Sequence, residues 1–131
     1  MGELRDQIEI ARDAAAVWTI VGDPAAITQW FSGIASCTVD GDLRVCTLAN
    51  ATTIDERIQA IDTESRTLTY SVIAGMPVDS HLGSVRVVSL GNGHSRVEYV
   101  TQVEPESFEG PLGASVHSAL KNLKRLLEVA A

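Results

Sequence analysis

The sequence predicts an α+β domain in which one antiparallel sheet is folded around a long C-terminal helix. Three observations carry this. Leu112, Val116, Ala119, Leu120, Leu123, Leu126 and Leu127 recur at spacings of three and four, the apolar stripe of a 3.6-residue helix. Between residues 34 and 103 nearly every segment alternates in the manner of a strand and ends at turn-forming residues. An amphipathic helix also needs an apolar surface to lie on, and a single sheet is the only candidate large enough.

At 131 residues the chain has the size of one domain, expected to span residues 1–131, with a core that needs no staples. With 45% hydrophobic and 21% charged residues, its balance is that of an ordinary soluble protein. A net charge of −7 argues against a non-specific grip on nucleic acid or an anionic membrane. No apolar run reaches the length of a membrane span, and Met1-Gly2-Glu3-Leu4-Arg5-Asp6 lacks the pattern of a signal peptide. Asp6 stands where a myristoylation signal carries a hydroxyl residue. A cytoplasmic protein without integral membrane contact or nucleic-acid partner, monomeric or weakly dimeric, is expected.

Taken in order, Gln7-Ile8-Glu9-Ile10 alternates as a short first strand. Asp13 is placed to cap a helix from Ala14 to Val21. Gly22-Asp23-Pro24 stops it, and Asp23 is placed to cap a second short helix reaching about Trp30. Cys37-Thr38-Val39 and Leu43 to Leu48 flank a hairpin turn at Asp40-Gly41-Asp42. A two-residue loop at Gly41-Asp42 sets Cys37 directly opposite Cys46. Two reduced, packed thiols are the expectation, because cytosolic disulfides are rare.

Thr52 to Ile61 is the next strand, with Thr52, Ile54, Glu56, Ile58 and Ala60 on one face. After the polar turn Asp62-Thr63-Glu64-Ser65, Thr67 to Ala74 places Leu68, Tyr70 and Val72 on a common face. Gly75-Met76-Pro77 leads into a strand from His81 to about Leu90. Gly91-Asn92-Gly93 then turns into the last strand, Ser95 to Val103, where Val97, Tyr99, Thr101 and Val103 share a face. Glu104 to Gly110 carries the chain to the helix. Pro111 suits the first helical turn, and Lys121, Lys124, Arg125 and Glu128 fall mostly toward water. The basic residues near its far end are expected to complement the helix dipole.

Ala114, Ser118 and Asn122 form a stripe of small or polar residues beside the leucines. A filled core prefers larger apolar groups there, so the stripe points to a cavity or to close helix–sheet packing. There is no CxxC or Cys/His metal spacing, phosphate-binding glycine loop or Ser/His/Asp arrangement, so neither metal nor cofactor is expected.

Asp13-Ala14-Ala15-Ala16-Val17-Trp18, Gly22-Asp23-Pro24 and Trp30 resemble the entry segment of the START-like, or SRPBCC, superfamily. This group holds the polyketide cyclase/dehydrase and lipid-transport families and the birch-pollen-allergen relatives. Glu56-Arg57-Ile58, Asp62, Arg66-Thr67-Leu68-Thr69-Tyr70-Ser71, Met76-Pro77-Val78 and Leu120 to Leu127 extend the match over nearly the whole chain. The resemblance implies a helix-grip fold: a seven-stranded antiparallel sheet wrapped round the C-terminal helix, with an internal ligand cavity. The same block is similar to the plant abscisic-acid receptors. Their gate loop falls on Ala49-Asn50-Ala51, and their latch on Gly75-Met76-Pro77-Val78. Asn50 replaces the gate's proline, Pro77-Val78 replaces the latch's histidine-arginine pair, and Ala35 stands at the lysine that holds the hormone's carboxylate. These losses argue against that hormone and that mechanism. The pocket outline implied by the resemblance falls on Val45, Ala49, Glu56, Tyr70, Val72, Leu82, Ser84, Tyr99, Ser118 and Asn122.

Each candidate also has a structural reading. Glu56, on the face of Ile54 and Ile58, is either a carboxylate of raised pKa that serves as base or anchor, or the partner of a cation at the sheet margin. Arg86 shares the parity of Leu82 and Ser84 and is a candidate partner for it. Tyr70 and Tyr99 read first as core aromatics, although their hydroxyls can reach a ligand. His81, with Asp79 nearby, is the one histidine that offers a catalytic candidate and is placed at the cavity mouth. Trp18 and Trp30 read as anchors of the short helices, with Trp30 able to touch the cavity. The expected function is carriage or sensing of a small hydrophobic ligand, with Asn50, Met76 and Pro77 in entrance flaps. The alternatives are an aromatic polyketide cyclase or dehydratase, with Glu56 or His81 moving protons, and a protein-interaction module.

Overall fold

The computed structural model describes residues 2–129, so Met1 and residues 130–131 of the expected domain lie outside it. Seven strands form one antiparallel sheet in the order β1-β7-β6-β5-β4-β3-β2. β1 (Gly2–Ile10) is followed by α1 (Ala14–Val21) and a 3-10 helix at Pro24–Gln29. Then come β2 (Ile34–Asp40), β3 (Leu43–Leu48), β4 (Thr53–Asp62), β5 (Thr67–Ala74), β6 (Ser80–Gly91) and β7 (His94–Glu104). A 3-10 turn at Glu106–Phe108 enters α2 (Glu109–Val129). This is the α+β helix-grip architecture, with the long helix on the concave face.

Both short helices start where a carboxylate stands ready. The side chain of Asp13 accepts from the backbone N–H of Ala16 at 3.0 Å, and that of Asp23 from Ala25 at 3.0 Å. β1 begins earlier than its alternation suggests. Asp6 interrupts the apolar face, yet it is answered by His117 of α2, whose Nδ1 lies 2.9 Å from Asp6 Oδ2. The last turn of α2 holds no basic residue of its own. Its free carbonyls are met from outside instead: Arg12 donates to the Leu127 oxygen at 2.9 Å. Lys124, expected near the dipole's negative end, reaches across to the Glu9 carbonyl at 2.8 Å.

The core occupies one end of the space between sheet and helix. Val116, Ala119, Leu120, Leu123 and Leu127 of α2 meet Val85, Val87, Val97 and Tyr99 of the sheet and Val17 of α1, all buried. The other half of α2 is different. Ala114, Ser115 and Ser118 stay exposed, because nothing fills the space they face.

Several expected orientations are corrected by the strand register. Gly83 pairs with Tyr70 and therefore shares its concave face, as do His81, Val85 and Val87. Leu82, Ser84 and Arg86 point to the convex side, and Leu82 is 42% exposed. Arg44 pairs with Glu56, which turns Arg44 and Cys46 inward and Val45 outward. A bulge between Ile58 and Ala60 shifts the parity of β4, so Ala60 is exposed. Cys37 and Cys46 are opposed as expected but joined in a disulfide, not reduced. The reduced reading rested on compartment; directly opposed cysteines with Cα atoms 4.2 Å apart bring both sulfurs together.

Candidate functional site

The unfilled space is an open cavity of about 580 Å³ between the sheet, the N-terminal half of α2 and the segment after the first 3-10 helix. Its apolar lining comes from Ile27, Phe31, Ile34, Leu48, Ile54 and Val72. Met76, Phe108, Pro111 and Leu112 close one side, and Ala114, Ser115 and Ser118 present small groups from the helix. An aromatic partition separates cavity from core. Trp30, 4% exposed, packs on Tyr99 with ring centroids 6.2 Å apart, and its ring lies 4.9 Å from that of Phe31.

Polar groups gather on one wall. Arg44 Nε donates to Glu56 Oε1 at 2.7 Å, and Nη1 to the Pro24 carbonyl at 3.1 Å. The guanidinium sits 5.2 Å from the Tyr70 ring centroid, and its buried Nη2 has no hydrogen-bond partner. The Tyr70 and Tyr99 hydroxyls are hydrogen-bonded at 2.5 Å. Gly83 makes room for Tyr70: a Cβ there would stand 2.6 Å from the ring. The backbone N–H of Val72 donates to His81 Nδ1 at 3.1 Å, and the imidazole lies 5.4 Å from the Tyr70 ring. Cys46 Sγ approaches Glu56 Oε1 to 3.7 Å, and as a disulfide sulfur it has no proton to donate.

The charges follow from this arrangement. Burial raises the Glu56 pKa above the usual carboxylate value, and the Arg44 charge and hydrogen bond partly offset it. Burial lowers that of His81 to about 4, so the ring is neutral near pH 7. Burial likewise keeps Tyr70 and Tyr99 protonated, with the Glu56 charge and, for Tyr99, the Tyr70 hydroxyl acting in the same direction.

Of the residues singled out in the sequence, Glu56, Tyr70, Val72, His81, Ser118 and Met76 border the cavity. Val45, Leu82 and Ser84 do not, because of the parity just described. Ala49 and Asn50 sit in an exposed turn after β3, and Pro77 is exposed, so of the two flap loops only Met76 reaches the cavity wall. Trp30 and Tyr99 lie behind the wall. Asn122 is occupied, donating to the Trp30 carbonyl at 3.1 Å. His81 belongs to β6 and not to a mouth loop, and the partner of Glu56 is Arg44 instead of Arg86. Phe31, Leu48 and Phe108 were missed. Phe31 and Phe108 lie outside the long periodic elements, and Leu48 ends β3 on the inward parity of Arg44 and Cys46, which apolar alternation assigned to the other face.

The family model described as polyketide cyclase / dehydrase and lipid transport matches residues 1–128. A search of curated protein sequences finds no significant match. Among solved structures, the XoxI protein from Bacillus cereus is 23% identical with a TM-score of 0.92, covering 97% of this chain and 96% of that one. A START superfamily protein from Mycobacterium smegmatis is 15% identical with a TM-score of 0.87, and each chain is covered in full, 100%. Norcoclaurine synthase from Thalictrum flavum, in complex with dopamine and hydroxybenzaldehyde, is 18% identical with a TM-score of 0.73, covering 95% of this chain and 84% of that one. At these identities the structures share the fold.

Proposed function

This chain belongs to the polyketide cyclase / dehydrase and lipid transport family, and from that premise we propose that it binds a small, largely hydrophobic molecule in the cavity, as a carrier or sensor. The observation that carries the reading is the cavity itself. Its 580 Å³ falls within the range of small-molecule sites, and its wall is mainly apolar, with one polar cluster and the hydroxyls of Ser32, Ser115 and Ser118. Binding is driven by moving apolar ligand surface out of water; about 200 Å² buried is worth about 5 kcal/mol before the costs of ordering. Glu56, Tyr70 and His81 then fix the orientation. A cytoplasmic location and a single domain over residues 1–131 accompany this proposal.

The test is native mass spectrometry of the purified protein, followed by thermal-shift screening with apolar compounds. A stoichiometric small molecule that is lost in Ser118→Trp, which fills the cavity from the helix side, supports the proposal. A protein that is repeatedly empty and gains no thermal stability from any apolar compound refutes it.

One observation favours a second reading, an enzyme of the cyclase or dehydratase type. Glu56 borders the cavity with a raised pKa, which suits a proton-transfer group. Turnover of a bound polyketone that Glu56→Gln abolishes, with binding retained, selects the enzyme. The protein-interaction module stays the further alternative; Met76 borders the cavity and is half-buried, beside the exposed Pro77.

A further inference from the structure

Beside the hydroxyls of Ser32, Ser115 and Ser118, the cavity offers a ligand one fixed acceptor and one fixed donor, and no cation. Among the described residues on its wall, Glu56 alone carries a formal charge. Arg44 stands behind that wall. Its side chain is 2% exposed, and its Nε and Nη1 are committed to Glu56 and to the Pro24 carbonyl. Glu56 Oε1 is taken up in that bond, while Oε2 accepts no hydrogen bond from the described residues.

His81 is fixed in the opposite sense. Its Nδ1 accepts the Val72 N–H, and an imidazole nitrogen that accepts carries no proton. The ring proton therefore sits on Nε2, which has no partner among the described residues. The low pKa of the buried ring keeps it from gaining a second proton. Glu56 and His81 are joined through one residue: Val72 pairs with Glu56 across β4 and β5, and its backbone holds His81 of β6. The two side chains thus stand on one face, roughly 10 Å apart at the backbone, two strand spacings.

We infer that this pair selects the polar end of the ligand: a neutral hydroxyl on an apolar body is held, donating to Glu56 and accepting from His81, and a carboxylate is refused. The inference rests on the proposed cavity binding. A carboxylate would bring a second anion beside Glu56 with no cation on the wall to answer it, because the one unpaired nitrogen nearby, Arg44 Nη2, is buried behind that wall. An ammonium would satisfy Glu56 but leave the His81 donor unpaired, since it has no acceptor. A hydroxyl both donates and accepts and meets either group.

Isothermal titration near pH 7 with 2-naphthol, 2-naphthoate, 2-naphthylmethylammonium and naphthalene tests this, alongside uptake of the neutral dye Nile red. The full chain is compared with Glu56→Gln and His81→Phe, each first shown to be folded by urea unfolding. Naphthol is expected to bind about tenfold more tightly than the other three, the worth of one or two hydrogen bonds. Glu56→Gln should shrink the naphthol-to-naphthoate ratio to about threefold, because the amide can donate to a carboxylate. His81→Phe should bring naphthol toward naphthalene. Naphthoate or the ammonium binding as tightly as naphthol overturns the inference, as does a ratio unmoved by Glu56→Gln. Naphthalene equal to naphthol overturns it and leaves the cavity reading standing. Failure of all four ligands together with no Nile red uptake removes both.

Discussion

Replacing Arg44 by Met deletes the charge that answers Glu56 and keeps an apolar stem against the Tyr70 ring. In the native chain the paired side chains are 2% and 10% exposed and 2.7 Å apart. Removing one partner of a buried pair costs about 3–5 kcal/mol, because a charge is left unanswered. Glu56 borders an open cavity, so the lower end, about 3 kcal/mol near pH 7, is expected. The pH dependence identifies the cause. Burial raises the Glu56 pKa and Arg44 holds it down, so without Arg44 it rises further. An acid whose folded pKa exceeds its unfolded one binds more protons folded than unfolded between the two values. Stability therefore falls as pH rises through that window and is flat above it. The window opens near 4.5 in both proteins and runs higher in the variant. The deficit of Arg44→Met should be small near pH 4 and grow toward pH 8, by about 1.4 kcal/mol for each tenfold gain in the proton affinity of Glu56. Among the other titratable neighbours, Tyr70 and Tyr99 stay protonated throughout, and the His81 contribution, set by burial and not by Arg44, is common to both proteins and cancels from the deficit. Urea unfolding across this range measures the effect, with Glu56→Gln and the double variant in parallel. The double variant should recover most of the loss near pH 7. A deficit that does not change with pH would refute the charge argument and assign the loss to packing.

Other perturbations follow from the same geometry. Gly83→Ala drives a methyl into the Tyr70 ring, 2.6 Å away, and should lower the urea midpoint by an amount equivalent to about 1–3 kcal/mol; an unchanged midpoint would mean that the ring moves freely. Leu123→Ala, at a fully buried position of α2, should cost about 2–5 kcal/mol. Leu82→Ala, 42% exposed, should cost less than about 0.5 kcal/mol; comparable losses for the two would contradict the register of β6. The His81 ring should titrate by NMR near pH 4, well below its ordinary 6.5. Because the unfolded chain binds that proton more readily, stability should be lost as pH falls from about 6.5 toward 4, by up to about 3 kcal/mol. A midpoint near 6.5 would place the ring in water. The Cys37–Cys46 bridge spans a sequence separation of 9. Replacing both cysteines by Ser should cost about 2–3 kcal/mol through the released unfolded chain, read by urea unfolding.

The elements were legible where the chain speaks in one period. The α2 stripe, the two aspartate caps and the β2–β3 pairing all rest on local rules, and each operates within a few residues. The first half of β1 escaped because its inward Asp6 is satisfied by His117, more than a hundred residues away. The cap at the end of α2, Arg12 on the Leu127 carbonyl, escaped for the same reason. Lys124 likewise reaches from α2 to the Glu9 carbonyl of β1, a contact that no window along the sequence contains.

Within the sheet the site was legible on β4 and β5, while His81 of β6 was expected in a loop, and the reason is physical. Apolar alternation reports which face is buried, and a cavity wall is not simply a buried face. The inward positions of β3 and the start of β6 include Arg44, Cys46, His81 and Gly83, of which His81 borders the cavity, while Val45 and Leu82 point away. Hydrophobicity alone therefore assigns these strands the wrong parity. The better signal was a size rule: a glycine one register step from a tyrosine on the neighbouring strand marks where the ring lies. Gly83 opposite Tyr70 sets the parity of β6 and brings His81 to the wall. Once β6 is set, the Val72 contact of His81 follows from the ladder, and the Arg44 contact of Glu56 follows from the β3–β4 register. The polar wall is thus a consequence of register, and any substitution that slips β6 by one residue replaces His81 by Leu82 and removes the donor from the cavity.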